Sequence, residues 1–298
     1  MDTTSVTFRW RRIRHVLRTL IKSPLGKAAR NSVRVAAHER YRPVDIARRS
    51  DDLAIWLFFS LLGDRLQKTE DVYRDHARLW RNQSWLYRRE ALKTPWQDVA
   101  RVLIREKVGL PIETAKRWVP CLRALYELFE GNPRFLFSEG SIDLTLALKK
   151  ELKRQTGTDQ LLGYGPKLLS LLALYLQDAG LLGTIAGAFP VDVHFQRLLI
   201  ITGGVQSGGI IRCNWLAEET RPRLWQMCTD NGWRTLTVAQ ASYTLGNTLC
   251  VRCSQTADIH LRCPVYKLCG GKLPSANYGK RGIWDLSIPR LRKGKRDD

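Results

Sequence analysis

Apolar residues recur through most of this chain at spacings of three and four, which is the period of an amphipathic helix. The pattern is clearest at 96–107 and 113–129. A nearly uninterrupted apolar run at 53–62 is typical of a helix buried on all sides. Ser141 and Asp143 favour the start of a further helix that reaches about residue 155. Because no segment alternates polar and apolar residues for long enough to indicate a sheet, the chain is predicted to be all-α.

The chain is strongly basic, with 49 Lys and Arg against 28 Asp and Glu and a formal net charge of +21. Repulsion between like charges destabilises a compact chain, and a polyanionic partner relieves it. Both ends are basic on their own, since residues 1–50 hold 13 Lys and Arg and residues 280–298 hold seven. Nucleic acid is the favoured partner, although an anionic membrane surface or simple solubility would also explain the composition. The last ten residues are either an arm that follows phosphates or a solvated tail.

No apolar run approaches the roughly 20 residues that a membrane-spanning helix requires, so no membrane partner is expected. The segment 9–22, RWRRIRHVLRTLIK, is basic and weakly amphipathic, and it lacks the apolar core of a secretory signal. We interpret it as a surface helix of a soluble intracellular protein, located in the cytoplasm or at the nucleoid. A mitochondrial presequence is the alternative, because Arg and Ser are frequent there and acids are scarce.

Four of the seven cysteines are clustered near the C-terminus, in the spacing Cys250-x2-Cys253-x9-Cys263-x5-Cys269. An odd number of cysteines in a chain of this size argues against a secreted disulfide scaffold. Four thiolates hold either a tetrahedral Zn²⁺ or a 4Fe–4S cluster, and the spacing alone does not choose between them. The other three are predicted to be core residues: Cys121, Cys213 and Cys228.

The segment 161–170, LLGYGPKLLS, has the composition of a tight turn between two helices. A short helix at 158–162 would end at Gly163, and Pro166 suits the first turn of the next helix, where its missing N–H costs nothing. Gly163 and Gly165 permit a turn that presents backbone amides just before a helix N-terminus, and such an arrangement binds phosphate. An ordinary connection between helices has the same signature, so the motif alone does not establish a function.

Three motifs, taken in order, resemble the helix-hairpin-helix DNA glycosylase superfamily, the group that contains endonuclease III. The family's hairpin L-P-G-x-G-x-K corresponds to L-L-G-Y-G-P-K here, and its V-D-x-H corresponds to V-D-V-H at 191–194. Its cysteine pattern, C-x6-C-x2-C-x5-C, corresponds to the C-terminal cysteines. The resemblance spans residues 53–269, and its N-terminal half matches only in helical pattern. This chain departs from the family in the cysteine spacing and in an apparent insertion at 178–189.

The resemblance implies a two-lobed helical fold and a catalytic pair. Lys167 would attack C1′ of an extruded nucleotide, and Asp192 would stabilise the positive charge that develops on the sugar. It also implies a 4Fe–4S cluster rather than zinc, and a monomer that binds double-stranded DNA. The expected product is an excised base, and β-elimination would follow from a Schiff base on Lys167.

The same resemblance sets the expected domains: a basic N-terminal segment (1–51) packed on the cluster lobe, a helical barrel (52–173) that ends in the hairpin, the cluster lobe (174–275) and a basic tail (276–298). The residues expected to contact DNA belong to the hairpin, to a wedge after the first barrel helix, to the V-D-x-H motif and to the cysteine loop: Gly163, Tyr164, Gly165, Arg65, Gln67, His194, Arg252 and Arg262.

Each member of the catalytic pair also has a structural interpretation. Lys167 taken alone is an ordinary lysine in a first turn, and Asp192 suits the N-cap of a helix at 193–202. Two other functions remain open. One is a monofunctional glycosylase that uses water in place of Lys167 and acts on a hypermodified base, for example of phage DNA in host defence. The other is a non-catalytic protein that binds DNA or senses redox state through its cysteine cluster.

Overall fold

A computed structural model describes residues 5–34, 37–63, 69–250, 262–269 and 282–286. These residues are mostly helical, with two short two-stranded sheets, which confirms the predicted all-α class. Among them, no helix is long and apolar enough to cross a membrane.

In chain order the elements are β1 (Thr7–Phe8), α1 (Trp10–Lys22), α2 (Pro24–Arg34), α3 (Ala37–Arg40), α4 (Asp51–Leu62), α5 (Thr69–Gln83), α6 (Trp96–Arg105), α7 (Pro111–Leu128), α8 (Ile142–Thr156), α9 (Pro166–Asp178), α10 (Val193–Ile201), β2 (Val205–Gln206), β3 (Ile210–Arg212), α11 (Cys213–Asp230), α12 (Thr235–Thr244), α13 (Tyr266–Cys269) and β4 (Ile283–Asp285). Short 3₁₀ helices lie at Ser84–Tyr87, Arg89–Lys93 and Pro133–Phe137, and a π-helical turn lies at Leu245–Leu249. Both sheets are antiparallel, β1 with β2 and β3 with β4.

The chain divides into two compact units, and one of them is discontinuous in sequence. The continuous unit is Val35–Ala188, and the discontinuous unit combines Met1–Arg34 with Phe189–Asp298. The boundaries therefore fall at 34/35 and 188/189, whereas the sequence suggested 51/52 and 173/174. Residues 179–188 belong to the continuous unit because Ala186 is hydrogen-bonded on both sides, its N–H to Gly140 O (2.8 Å) and its carbonyl to Ile142 N (3.0 Å).

The centre of the continuous unit is α4, which packs against α5, α7 and α9. Every residue of α4 from Leu53 to Leu62 is buried, as the apolar run predicts. Ser50 caps the helix, since its Oγ accepts a hydrogen bond from Leu53 N (3.3 Å). The α4 core is largely aromatic, and the ring of Phe59 is stacked on that of Trp118 at 4.3 Å between centroids.

In the discontinuous unit, the surface helix expected at the basic N-terminus is present as α1, but it is strongly and not weakly amphipathic. Its buried residues follow the helical spacing i, i+3, i+4, i+7, i+8 and form one continuous stripe: Ile13, Val16, Leu17, Leu20 and Ile21. Arg11, Arg14 and Arg18 lie exposed on the other side. The frequent arginines lower the average hydrophobicity of the segment without interrupting the apolar stripe.

Candidate functional site

The hairpin segment forms a tight turn followed directly by a helix. Tyr164 N donates to Leu161 O (3.0 Å), and Gly165 N donates to Gly163 O (3.1 Å). Gly163 has φ +98°, a conformation that favours glycine, and Gly165 is the N-cap of α9. The start of α9 at Pro166 is as predicted from the sequence.

The predicted short helix at 158–162 is wrong, because this segment is a turn. The preceding helix, α8, ends at Thr156, and its C-cap, Gly157, adopts a left-handed conformation (φ +71°). Beyond it, Asp159 Oδ1 accepts a hydrogen bond from Leu161 N (3.1 Å) and starts the turn. A hydrogen bond from a backbone N–H to the side chain two residues earlier competes with the helical hydrogen bond. This competition explains why 158–162 forms a turn and not the predicted helix.

Tyr164, which we expected to contact DNA, is a core residue of the continuous unit. Its side chain is fully buried and stacked on Phe58 at 4.7 Å between centroids, and its hydroxyl donates to the carbonyl oxygen of Phe58. Its backbone N–H is used within the turn, as is that of Gly165, so neither amide is presented to a phosphate as expected. Gly163 is exposed, as is its neighbour Leu162.

Two basic residues lie at the turn that sequence reasoning did not identify. Arg117 of α7 passes beside Gly163, so closely that a Cβ atom at Gly163 would be 2.9 Å from Arg117 Cδ. Lys149 of α8 donates hydrogen bonds to carbonyl oxygens of the turn. Both residues come from other helices, and nothing in their own sequence neighbourhoods indicates that they contact the hairpin.

The two predicted catalytic residues each lie at the start of a helix. Lys167 is the second residue of α9, is partly buried and belongs to the continuous unit. Asp192 belongs to the discontinuous unit and is the N-cap of α10, where its Oδ1 accepts a hydrogen bond from Phe195 N (2.8 Å). The helix predicted at 193–202 is therefore confirmed, and so is the capping role of Asp192.

His194, the last residue of the V-D-x-H motif, packs tightly against the polypeptide just before Cys250. Its ring meets the ring of Tyr243 edge-on, with 5.4 Å between centroids. A Cβ atom at Gly246, in the π-helical turn, would be 2.5 Å from His194 Cβ, so only glycine fits there. The N-terminus of α10 is thus in contact with the turn that leads to the first cysteine of the cluster.

Three of the four predicted metal ligands share one apolar cluster in the discontinuous unit. Cys250 and Cys269 are buried in it, and Cys263 is packed against it, next to Val265. Cys263 also lines a cavity of about 540 Å³ together with His15, Thr19 and residues 264 and 266–268. Cys253 lies outside the described residues, and within those residues no group of three or more His, Cys, Asp or Glu side chains is arranged to hold a metal ion.

The three remaining cysteines are buried, as predicted for core residues: Cys121, Cys213 and Cys228. Burial raises the pKa of Cys228 to about 12 and that of Cys213 to about 11, and it also raises the pKa of Cys121. These thiols therefore stay protonated at neutral pH, as expected of core residues.

Of the other residues predicted to contact DNA, Arg262 is exposed next to the partly buried Cys263. The wedge candidates Arg65 and Gln67 lie outside the described residues, and so does Arg252 of the cysteine loop.

Comparison of the chain with protein families, with curated proteins and with solved structures finds no match.

Proposed function

We propose that this protein is a DNA N-glycosylase that extrudes a damaged or modified base from duplex DNA and excises it. The proposal is supported by the local setting of each motif residue, taken separately. Lys167 follows a rigid, hydrogen-bonded hairpin in the first turn of α9, and Asp192 is held at the N-terminus of α10 by the hydrogen bond to Phe195 N. A net charge of +21 supports double-stranded DNA as the partner, and we propose that the protein acts on it as a monomer.

The proposed chemistry assigns one role to each residue of the pair. When the N-glycosidic bond breaks, its electron pair leaves with the base, and the sugar becomes cationic. The carboxylate of Asp192 stabilises that charge. The neutral amine of Lys167 then forms a bond to C1′ and loses a proton. The C1′–O4′ bond breaks as O4′ takes up a proton, which gives a Schiff base, and loss of a C2′ proton from it permits elimination of the 3′ phosphate. A monofunctional enzyme would retain the role of Asp192 and replace Lys167 with water.

The hairpin contributes a rigid edge at which the DNA backbone binds. Arg117 stands beside the exposed Gly163, and within the described part of the chain it makes no ion pair. A phosphate at this edge would therefore meet a guanidinium that has no competing carboxylate among those residues. The hairpin thus acts through a side-chain cation in addition to the helix N-terminus.

We propose that the four C-terminal cysteines hold a 4Fe–4S cluster, with zinc as the alternative. Cys250, Cys263 and Cys269 share one apolar cluster, which would shield the group from water. We propose that this group has a structural role. It would hold the chain next to the π-helical turn, and His194 packs against that turn. No catalytic step passes through it.

The proposal is tested with a panel of duplexes that carry oxidised pyrimidines, methylated bases and hypermodified bases of phage DNA. Release of a free base, followed by mass spectrometry, is expected from at least one duplex with the wild-type chain. Asp192→Asn is expected to bind the same duplex and release little base. Binding of every duplex with equal affinity and no release of any base would contradict the proposal and favour a non-catalytic DNA-binding protein.

A further inference from the structure

We infer that Lys149 is a built-in cation that holds the hairpin in shape and thereby sets its affinity for DNA phosphate. Its ammonium donates to Tyr164 O (2.6 Å) and to Leu161 O (2.9 Å), and it pairs with Asp159 Oδ2 (3.1 Å). Three acceptors thus match the three N–H groups of one ammonium. All three belong to the seven-residue segment 159–165, so a single side chain from α8 ties together the start, the middle and the end of the turn.

The turn needs such a cation because its carbonyl oxygens converge. Leu161 O and Tyr164 O are both directed at the same nitrogen, and without it two dipoles and the carboxylate of Asp159 would face one another. The Lys149 side chain is only 17% exposed and that of Asp159 only 25%, so water screens this repulsion poorly. Repulsion of this kind would open the turn.

Two other contacts also hold the turn. Tyr164 is stacked in the aromatic core of α4, and Cys121 Sγ donates a weak hydrogen bond to Leu162 O (3.5 Å). The turn is therefore fixed to three helices, α4, α7 and α8, immediately before α9 begins. Loss of Lys149 removes the contact to α8 alone and leaves the other two in place, so the rest of the unit is expected to remain folded.

The role of Lys149 differs from that of Lys167, because all three N–H groups of the Lys149 ammonium are used in contacts with the turn. An ammonium that donates to three acceptors has no lone pair to offer, so Lys149 acts as a positioning residue and not as a nucleophile. Its effect on DNA rests on the proposed function, because the hairpin that it shapes precedes Lys167. Its effect on the stability of the turn does not depend on the proposed function. Thermal unfolding and DNA affinity are therefore two independent measurements.

The test is replacement of the built-in cation by a dissolved one. Lys149→Ala leaves a space lined by three oxygen acceptors, which an ammonium ion fills with its own N–H groups. Tetramethylammonium has the same charge but no N–H group, so at equal ionic strength it cannot substitute. Lys150→Ala is the matched control, because Lys150 is the exposed neighbour on the same helix. Thermal unfolding without DNA is measured for each variant in both chloride salts.

We expect the Tm of Lys149→Ala to fall by about 5 °C in tetramethylammonium chloride and to recover by at least half in ammonium chloride. The wild type and Lys150→Ala are expected to show no difference between the two salts. In ammonium-free buffer, Lys149→Ala is expected to bind duplex DNA about tenfold more weakly than Lys150→Ala, which corresponds to about 1.4 kcal/mol. Ammonium should restore this affinity too.

A Tm of Lys149→Ala that equals that of Lys150→Ala, or that responds identically to both salts, would overturn the inference. Should Lys149→Ala fail to fold, Asp159→Asn provides the second measurement. It keeps an oxygen acceptor for Leu161 N and removes only the charge that faces Lys149, so an unchanged Tm for this variant would also overturn the inference. Recovery in ammonium together with no DNA binding by any variant would support Lys149 and refute the proposed function.

Discussion

Replacement of Asp192 separates a structural role that the structure shows from a catalytic role that we propose. Asp192→Ala removes the acceptor for Phe195 N, which lies 2.8 Å from Oδ1, and leaves the first turn of α10 with one more unsatisfied donor. Loss of such a cap costs about 1 kcal/mol of the free energy of unfolding. In a chain of this size that corresponds to a Tm lower by roughly 2–4 °C. Asp192→Asn keeps an oxygen acceptor, so its stability is expected to stay within a few tenths of a kcal/mol of the wild type.

The catalytic role predicts a large loss of activity in the conservative variant, although its stability is unchanged. Asn has no negative charge with which to stabilise the cationic sugar, and loss of one preorganised electrostatic group lowers a rate by about 10²–10³. Single-turnover base release and thermal unfolding are measured on the same preparations. We expect Asp192→Asn to be stable and slow, and Asp192→Ala to be both destabilised and slow. Wild-type release by Asp192→Asn would reduce Asp192 to a cap, and an unchanged Tm for Asp192→Ala would refute the capping argument.

Three further substitutions test contacts around the site: two test packing and hydrogen bonding inside the protein, and one tests a contact with DNA phosphate. Gly246→Ala places a Cβ atom 2.5 Å from His194 Cβ, so we expect a loss of about 1–3 kcal/mol in denaturant unfolding; Gly183→Ala, where the added atom meets nothing within 4 Å, is the control, and equal stabilities would contradict the contact. Tyr164→Phe removes one buried hydrogen bond and is expected to lower the free energy of unfolding by about 1 kcal/mol, as read from the urea midpoint at an unchanged slope. Arg117→Ala is expected to reduce the slope of log affinity against log salt by about one, and a slope equal to that of the wild type would exclude a phosphate contact.

The elements that sequence reasoning predicted well depend on local rules. Helices α6 and α7 begin within two residues of the positions indicated by the periodicity, and α4 is buried as its apolar run requires. Ser141 caps α8 by accepting a hydrogen bond from Asp143 N (3.2 Å), and Asp192 caps α10 in the same way. Each of these features is decided by residues within one or two helical turns of one another, so the sequence contains the necessary information.

The contacts that shape the hairpin could not be predicted, because they join residues far apart in the chain. Tyr164 is held by Phe58, which is 106 positions away, and Lys149 reaches the turn from α8, 12 positions before Leu161 and 15 before Tyr164. A tyrosine between two glycines has the composition of an exposed loop residue, and only the stacking in the α4 core removes it from the surface. In sequence, the turn at 158–162 resembles a short helix. The hydrogen bond from Leu161 N to Asp159 Oδ1 competes with that helix, and it depends on detailed geometry that the sequence does not reveal.

At the basic N-terminus, the predicted helix is present, and only the strength of its amphipathic pattern is underestimated. The stripe that α1 buries, from Ile13 to Ile21, was visible in the sequence, but the arginines between its members gave the segment a low average hydrophobicity. The phase of the apolar residues, and not their average, decides whether a basic helix is part of a core.

The most direct test of the central claim uses a duplex that already contains an abasic site, because its outcome does not depend on which base is excised. Wild-type protein, Lys167→Gln and Lys150→Gln are incubated with this duplex and borohydride, and covalent complexes are resolved by electrophoresis. The proposed function predicts a trapped complex for the wild type and Lys150→Gln, its loss in Lys167→Gln, and a linkage that peptide mapping assigns to Lys167. Equal trapping by all three proteins, or none by the wild type, would contradict a Schiff base on Lys167.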